Sequence, residues 1–359
     1  MIMKLSVPFI PDEDYAVFLS DYLTILAALY FPLPSGPVFD ARIRSSVLKQ
    51  PDIKTLAATL APVKQVKKYI LMNTRFIAPD LYTDQKTLGH FLDLIADIDQ
   101  AVGIQGIVIG DAYLLNALDN TEHDIIPSLE AVPGVNTMLD SQEKILSYFE
   151  ILKQTRFKHP SRLILDRSLN RDLKRLSALS GTIKSLYPQT RIELLANEGC
   201  ISHCPFKHAH DAHIALSNTG LVKESTWRLN QKVGCHAYYM KHPHTFLKSP
   251  FIRPEDQHQY RQIADTLKIC GRTRGIDFLK KCIKAYAESS YQGNLLDLMD
   301  TTDFLAQRIH IDNKTLGSDF FTALTSCTKS CKRCRICIDL FKKAALEKPI
   351  TLTSFKDIQ

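Results

Sequence analysis

The stretch RLILDRSLNRDLKRLSALSGTIKSLYPQTRIELLANEGC, residues 162 to 200, decides the reading of the whole chain. It opens with a short apolar run at 162 to 167. Leucine and isoleucine then recur at helical spacing over 170 to 187, and a second apolar run follows at 191 to 197. Strand, amphipathic helix and strand in this order describe a parallel βαβ unit. Working outward, similar runs occur at 4–9, 68–73, 106–111, 123–128, 244–252 and 266–272, eight in all. Amphipathic helices are expected between several of them, at 86–102, 140–154 and 254–267 as well as 170–187. The interval between the third and fourth runs has room only for a reduced helix, LLNALDN.

Eight strands alternating with helices predict an α/β fold, a (β/α)8 TIM-like barrel. The competing architecture is a doubly wound open sheet, but no glycine-rich phosphate turn follows the first strand. The barrel is expected to occupy residues 1–290 and to be the catalytic part. A cysteine-rich helical extension is expected over 291–359.

Composition limits the classes available. The chain has 359 residues, 45% of them hydrophobic and 23% charged, which excludes disordered and collagen-like classes. The N-terminal MIMKLSVPFI has only a short apolar run before Pro11, Asp12, Glu13 and Asp14, so no signal peptide is expected. The longest apolar candidate, YAVFLSDYLTILAALYFPL, is broken by Ser20 and Asp21 and reads as a buried helix; no membrane span and a cytoplasmic location are expected. A formal charge of +7 is compatible with a polyanionic partner such as RNA, and equally with a solvated basic surface.

In a barrel of this kind chemistry sits where strands end. Asp166, Glu198 and Arg272 are the expected catalytic residues, and Asn73, Asp111, Arg167, Asn197, His208 and Arg253 the expected substrate contacts. A carboxylate at a strand end also serves as a helix N-cap, and Asp111 and Asp166 are open to that reading.

Nine cysteines without an export signal point to metal or redox chemistry rather than to disulfides. Cys200 and Cys204 lie just beyond the sixth run, with Cys235 in the following loop, and together they offer three thiolates to one centre. A fourth ligand would come from Cys270 or from the tail. The tail reads CTKSCKRCRIC, placing Cys327, Cys331, Cys334 and Cys337 at the short spacings of an iron–sulfur run or of a four-cysteine zinc site. Cys204 and His208 also permit a cysteine-nucleophile reading, which paired thiols at ligand spacing make the weaker one.

Three segments carry a resemblance: ELLANEGC ending at Cys200, KSPFIRPED, and LKICGRTRGIDFLKKCIKAY. Over roughly residues 100 to 290 the chain resembles the collagenase-like peptidase family catalogued as U-thirty-two. It looks most like the branch of oxygen-independent ubiquinone- and RNA-hydroxylation proteins. Lys268, Gly271 and Arg272 match the glycine-arginine motif of that family, and Cys200, Cys204 and Cys235 its cysteine region. The resemblance implies a 4Fe-4S cluster, one or two per chain, and oxygen-independent hydroxylation of a small aromatic molecule or an RNA base. It also implies an electron donor or partner protein. A peptidase with a structural metal and an electron-relaying subunit are the alternatives.

Overall fold

The computed structural model describes residues 2–34, 39–41, 52–218, 222 and 225–348. Eight strands form one sheet: β1 Lys4–Pro8, β2 Leu26–Pro32, β3 Lys67–Met72, β4 Gly106–Ile109, β5 Glu130–Pro133, β6 Arg162–Ile164, β7 Arg191–Leu195 and β8 Thr266–Lys268. Their order is β5-β4-β3-β2-β1-β8-β7-β6 and every pairing is parallel. Sequence neighbours are therefore neighbours around a ring, and β1 meets β8. The seam lies between β5 and β6, where the chain entering β6 bridges it: the Lys158 amide donates to the Leu129 carbonyl at 2.9 Å, and the Ala131 amide to the Lys158 carbonyl at 3.4 Å. The result is a nearly closed (β/α)8 TIM-like barrel.

Side-chain alternation along each strand separates two apolar layers. Ala28, Tyr30, Tyr69, Leu71, Val108, Val132 and Ile164 point into the barrel. Leu29, Ile70, Ile107, Ala131 and Ile192 point outward beneath the helices. Those helices are α1 Glu13–Ser20, α2 Ile53–Leu60, α3 Gln85–Val102, α4 Ala112–Asp119, α5 Gln142–Lys153 and α6 Leu173–Leu186. Asp12, Asp52, Asp84, Asp111, Ser141 and Asp172 cap them in turn, each side chain accepting from a backbone amide of the first turn.

The barrel floor is polar. Glu193 accepts from Arg162 at 3.1 Å and from the Ser6 hydroxyl, and Lys268 lies 3.6 Å away, over the Tyr30 ring. Burial opposes the charge on Glu193, yet Lys268, Arg162 and Ser6 together hold its carboxyl below the usual range.

The β7–β8 connection is the long one, carrying α7 Lys207–Asn218, α8 Thr226–Val233 and α9 Cys235–Lys241; α10 Ile276–Glu288 follows β8. Beyond it come α11 Asp303–Ala306, β9 Ile309–Ile311, α12 Phe320–Thr325, α13 Ile336–Ala344 and β10 Ala345–Glu347, which pairs antiparallel with β9. This extension shares the barrel's outer apolar layer through Leu295, Leu298, Met299 and Phe320. It also reaches the end of β7, where the Gly199 amide donates to the Asp300 carbonyl at 3.1 Å and the Asp300 amide to the Asn197 carbonyl at 2.8 Å.

The count of eight strands is right, but two of the expected runs are not strands. Residues 123–128 form turns closing into a 3-10 segment, Ile126–Ser128, because Pro127 lacks a ladder donor; the fifth strand lies just after, at Glu130–Pro133. Residues 244–252 begin as the 3-10 segment Pro243–Lys248 and continue without ladder pairing. The missing strand is β2, hidden in the second half of the stretch expected to be one buried helix, of which only α1 is helical. The helix expected over 254–267 is a 3-10 segment, Pro254–Tyr260, followed by β8. Among the described residues no helix is long and apolar enough to cross a membrane.

Candidate active site at the barrel mouth

The strand ends are polar, and several of their groups are engaged in holding the mouth together. Asp166 caps the 3-10 turn Arg167–Arg171, accepting from the Ser168 amide at 2.8 Å. Asp111 caps α4 through the Tyr113 amide at 2.9 Å and accepts from the Tyr82 hydroxyl. Its carboxyl is raised by burial despite those donors. The Asn73 side-chain oxygen accepts from the Ala41 amide at 3.2 Å, while its carbonyl accepts from Asn136 at 2.9 Å. Arg272 is ion-paired with Asp40.

Two further expected substrate contacts are turned inward. Asn197 is fully buried; its amide donates to the carbonyls of Cys270 at 3.1 Å and Leu298 at 3.0 Å, and its oxygen accepts from the Cys270 amide at 2.7 Å. Arg253, 2% exposed, makes a two-pronged pair with Asp256 at 2.8 and 2.9 Å and donates to the Gly317 carbonyl at 2.9 Å. Its guanidinium stacks on Phe320. Both bind the barrel to its extension. His208 is exposed on the first turn of α7.

The remaining residues gather at the end of β7 and the start of the β7–β8 connection. After β7 the chain passes Glu198, paired with Arg167, then Gly199, where any side chain would collide with Thr302, and reaches Cys200. Cys200, Cys204 and Cys235 are all half-buried. The buried Tyr239 hydroxyl, bonded to the Gly199 carbonyl at 2.9 Å and to Ser249 at 2.8 Å, lies within the field of all three sulfurs. Burial pushes the Cys235 thiol up to about 11, the charge of Cys204 adding to it. Burial also raises Cys204, partly offset by the Phe206 amide, Arg167 and Lys207. Both shifts favour the thiol over the thiolate at Cys204 and Cys235.

Lys207 is the residue that sequence reasoning missed. Its side chain is 12% exposed, bonded to Asp211 at 2.6 Å and to the Asn136 oxygen at 3.2 Å. Burial and the charge of Arg167 lower its pKa, which Asp211 and Cys200 counteract. Arg75 approaches Asp211 at 3.5 Å, so Arg75, Arg167 and Lys207 converge against Glu198 and Asp211. The i, i+4 spacing of Lys207 and Asp211 was the available signal. Backbone strain marks the same place: His203 (φ 49) and the β-branched Thr301 (φ 74) occupy left-handed conformations, and the Thr301 hydroxyl lies 4.0 Å from the Cys200 sulfur.

As donors, three soft thiols beside two cations suit a thiophilic metal or cluster. Among the described residues no three His, Cys, Asp or Glu side chains already stand at metal-holding separation. Cys270 is buried with its sulfur 3.2 Å from the Asn197 oxygen, beside Cys282, which leaves the fourth ligand unassigned.

Fold and site together define a (β/α)8-barrel protein with a cysteine-lined, cationic mouth. No family model matches the chain. It is 28% identical over 301 residues, 83% of this chain and 84% of the relative, to a Methanocaldococcus jannaschii protein named an uncharacterized protease.

Proposed function

We propose that the chain is an enzyme of the U-thirty-two type, working at the barrel mouth through an iron–sulfur cluster held by Cys200, Cys204 and Cys235. The reaction class is an oxygen-independent hydroxylation, or a related redox modification, of a small aromatic molecule or RNA base. What supports this reading is the grouping of three half-buried thiols, two from the loop after β7 and one from the start of α9, around Tyr239, with Arg167 and Lys207 alongside. A bound cluster would supply electron transfer or Lewis acidity.

The chain's own residues do the rest. Lys207 and Arg167 hold an anionic group of the substrate near the sulfurs, and Asp211 and Glu198 keep the two cations in place. Asp166 shapes the loop that carries Arg167.

The test is anaerobic purification with iron, sulfide and zinc quantified alongside the visible spectrum. Iron and sulfide with a broad visible band are expected, both lost in Cys204→Ala. A colourless protein free of iron would refute the proposal.

The name of the relative favours a second reading, a peptidase. A thiol nucleophile needs a depressed pKa and a base. Cys204 has the opposite shift, raised by burial. The peptidase reading therefore predicts cleavage that survives Cys204→Ala.

A further inference from the structure

The four tail cysteines lie outside the mouth pocket and have a geometry of their own. The chain leaves α12 and reaches Cys327, whose sulfur accepts from the Lys329 amide at 3.3 Å. Lys329 itself is left-handed, with φ 60. An amide two residues on, donating back to the sulfur from a residue that is itself left-handed, stabilises negative charge on that sulfur and curls the loop around it.

Cys331 begins a turn in which the amides of Arg333 and Cys334 donate to the Ser330 carbonyl, at 3.1 and 3.2 Å. Cys334 precedes α13, and Cys337 sits in its first turn, half-buried against the main apolar layer. The same turn and helix start bring Lys248 of the preceding 3-10 segment to the Cys331 sulfur at 3.5 Å.

We propose that Cys327, Cys331, Cys334 and Cys337 form a structural zinc site that fastens the C-terminal extension to the β7–β8 connection. The set is a curled loop bearing one pair, Cys327 and Cys331, and a helix start bearing the other, Cys334 and Cys337. Both pairs have the spacing of a tetrahedral four-cysteine zinc site. Among the described residues these sulfurs do not already stand at metal-holding separation, so binding would draw them together by rotation about the cysteine torsions, each of which moves a sulfur by roughly 3 Å.

Charge agrees. A zinc ion with four thiolates carries two net negative charges, and residues 327–337 contain four Lys or Arg and no acid. A fifth cation arrives from the barrel side, where Lys248 approaches the Cys331 sulfur at 3.5 Å. Lys248 ends the 3-10 segment that follows α9, so the ion would tie the tail to the segment next to Cys235.

The site stands independently of the mouth pocket, and separate variants distinguish the two. Full-length protein, purified with reductant and without chelator, is assayed for metals by plasma emission and for zinc released by a mercurial. About one zinc per chain is expected, reduced to none in the Cys331→Ser/Cys334→Ser double variant and unchanged in Cys204→Ala. Hydrogen exchange should then show residues 327–348 losing protection in the double variant while the barrel strands keep theirs. Zinc retained by the double variant would overturn the proposal. So would iron and sulfide lost in its place, or a wild-type chain that takes up no zinc when it is added.

Discussion

Asn197→Ala removes a side chain that joins three separate segments at the end of β7. The amide and carbonyl of Cys270 lose the partner that Asn197 supplies, and the carbonyl of Leu298 is left with the weak thiol donor of Cys282 at 3.4 Å. An orphaned buried polar group costs about 1–3 kcal/mol. Two such groups, with the Leu298 carbonyl weakened rather than orphaned, place the total at about 4 kcal/mol. Urea denaturation followed by circular dichroism would measure it as a lower midpoint at unchanged slope. Asn197→Asp is the informative companion. It keeps an acceptor for the Cys270 amide but faces both carbonyls with lone pairs, so at neutral pH it should destabilise at least as strongly. Acidification should then recover part of the loss, as the buried carboxyl takes a proton and regains one donor. A loss below about 1 kcal/mol for Asn197→Ala, accompanied by weakened substrate binding, would refute the clamp and return Asn197 to the substrate-contact role expected from sequence.

Two further outcomes test the polar core. Burial lowers Lys268 to about 8, against the attraction of Glu193, while the unfolded lysine stays near its ordinary value. The unfolded chain therefore binds more protons above that pH, so this residue's destabilising contribution is present in full below about pH 8 and fades as pH rises. Wild-type stability measured against Lys268→Met should improve by about 1.5 kcal/mol between about pH 8 and about pH 9.5, and a flat difference would mean that Lys268 titrates normally. Arg253→Met should cost about 3–5 kcal/mol by leaving Asp256 buried without its cation, and the Arg253→Met/Asp256→Leu pair should recover most of it in the same denaturation assay.

The local signals that succeeded and those that failed differ in kind. Residues 170–187 and 86–102 repeat apolar side chains at helical spacing and became α6, preceded by a 3-10 turn, and α3. β2 was missed because LAALYFP is apolar on both faces, one lining the barrel and the other lying under the helices, so no alternation distinguishes it from a buried helix. β5 was missed because it is four residues long and begins with Glu130, a carboxylate that accepts from Tyr69 at 3.0 Å and from the Ser161 amide at 3.1 Å. Conversely, HTFLKSPFI has strand-like composition, but Pro243 opens it as a 3-10 segment, and its end meets β7 through one bond, the Ile252 amide donating to the Ala196 carbonyl at 2.7 Å.

The sequence alone determined the barrel class and the grouping of the cysteines along the chain, since both depend on periodicity and spacing within short windows. Tertiary structure alone decided how the polar groups are used. It turned Asn197 and Arg253 inward, paired Arg272 with Asp40, and brought Lys207 from the β7–β8 connection beside Arg167 at the end of β6. A side chain's partner across many residues is set by how loops of different lengths return to the same end of the barrel, and no local pattern encodes that closure.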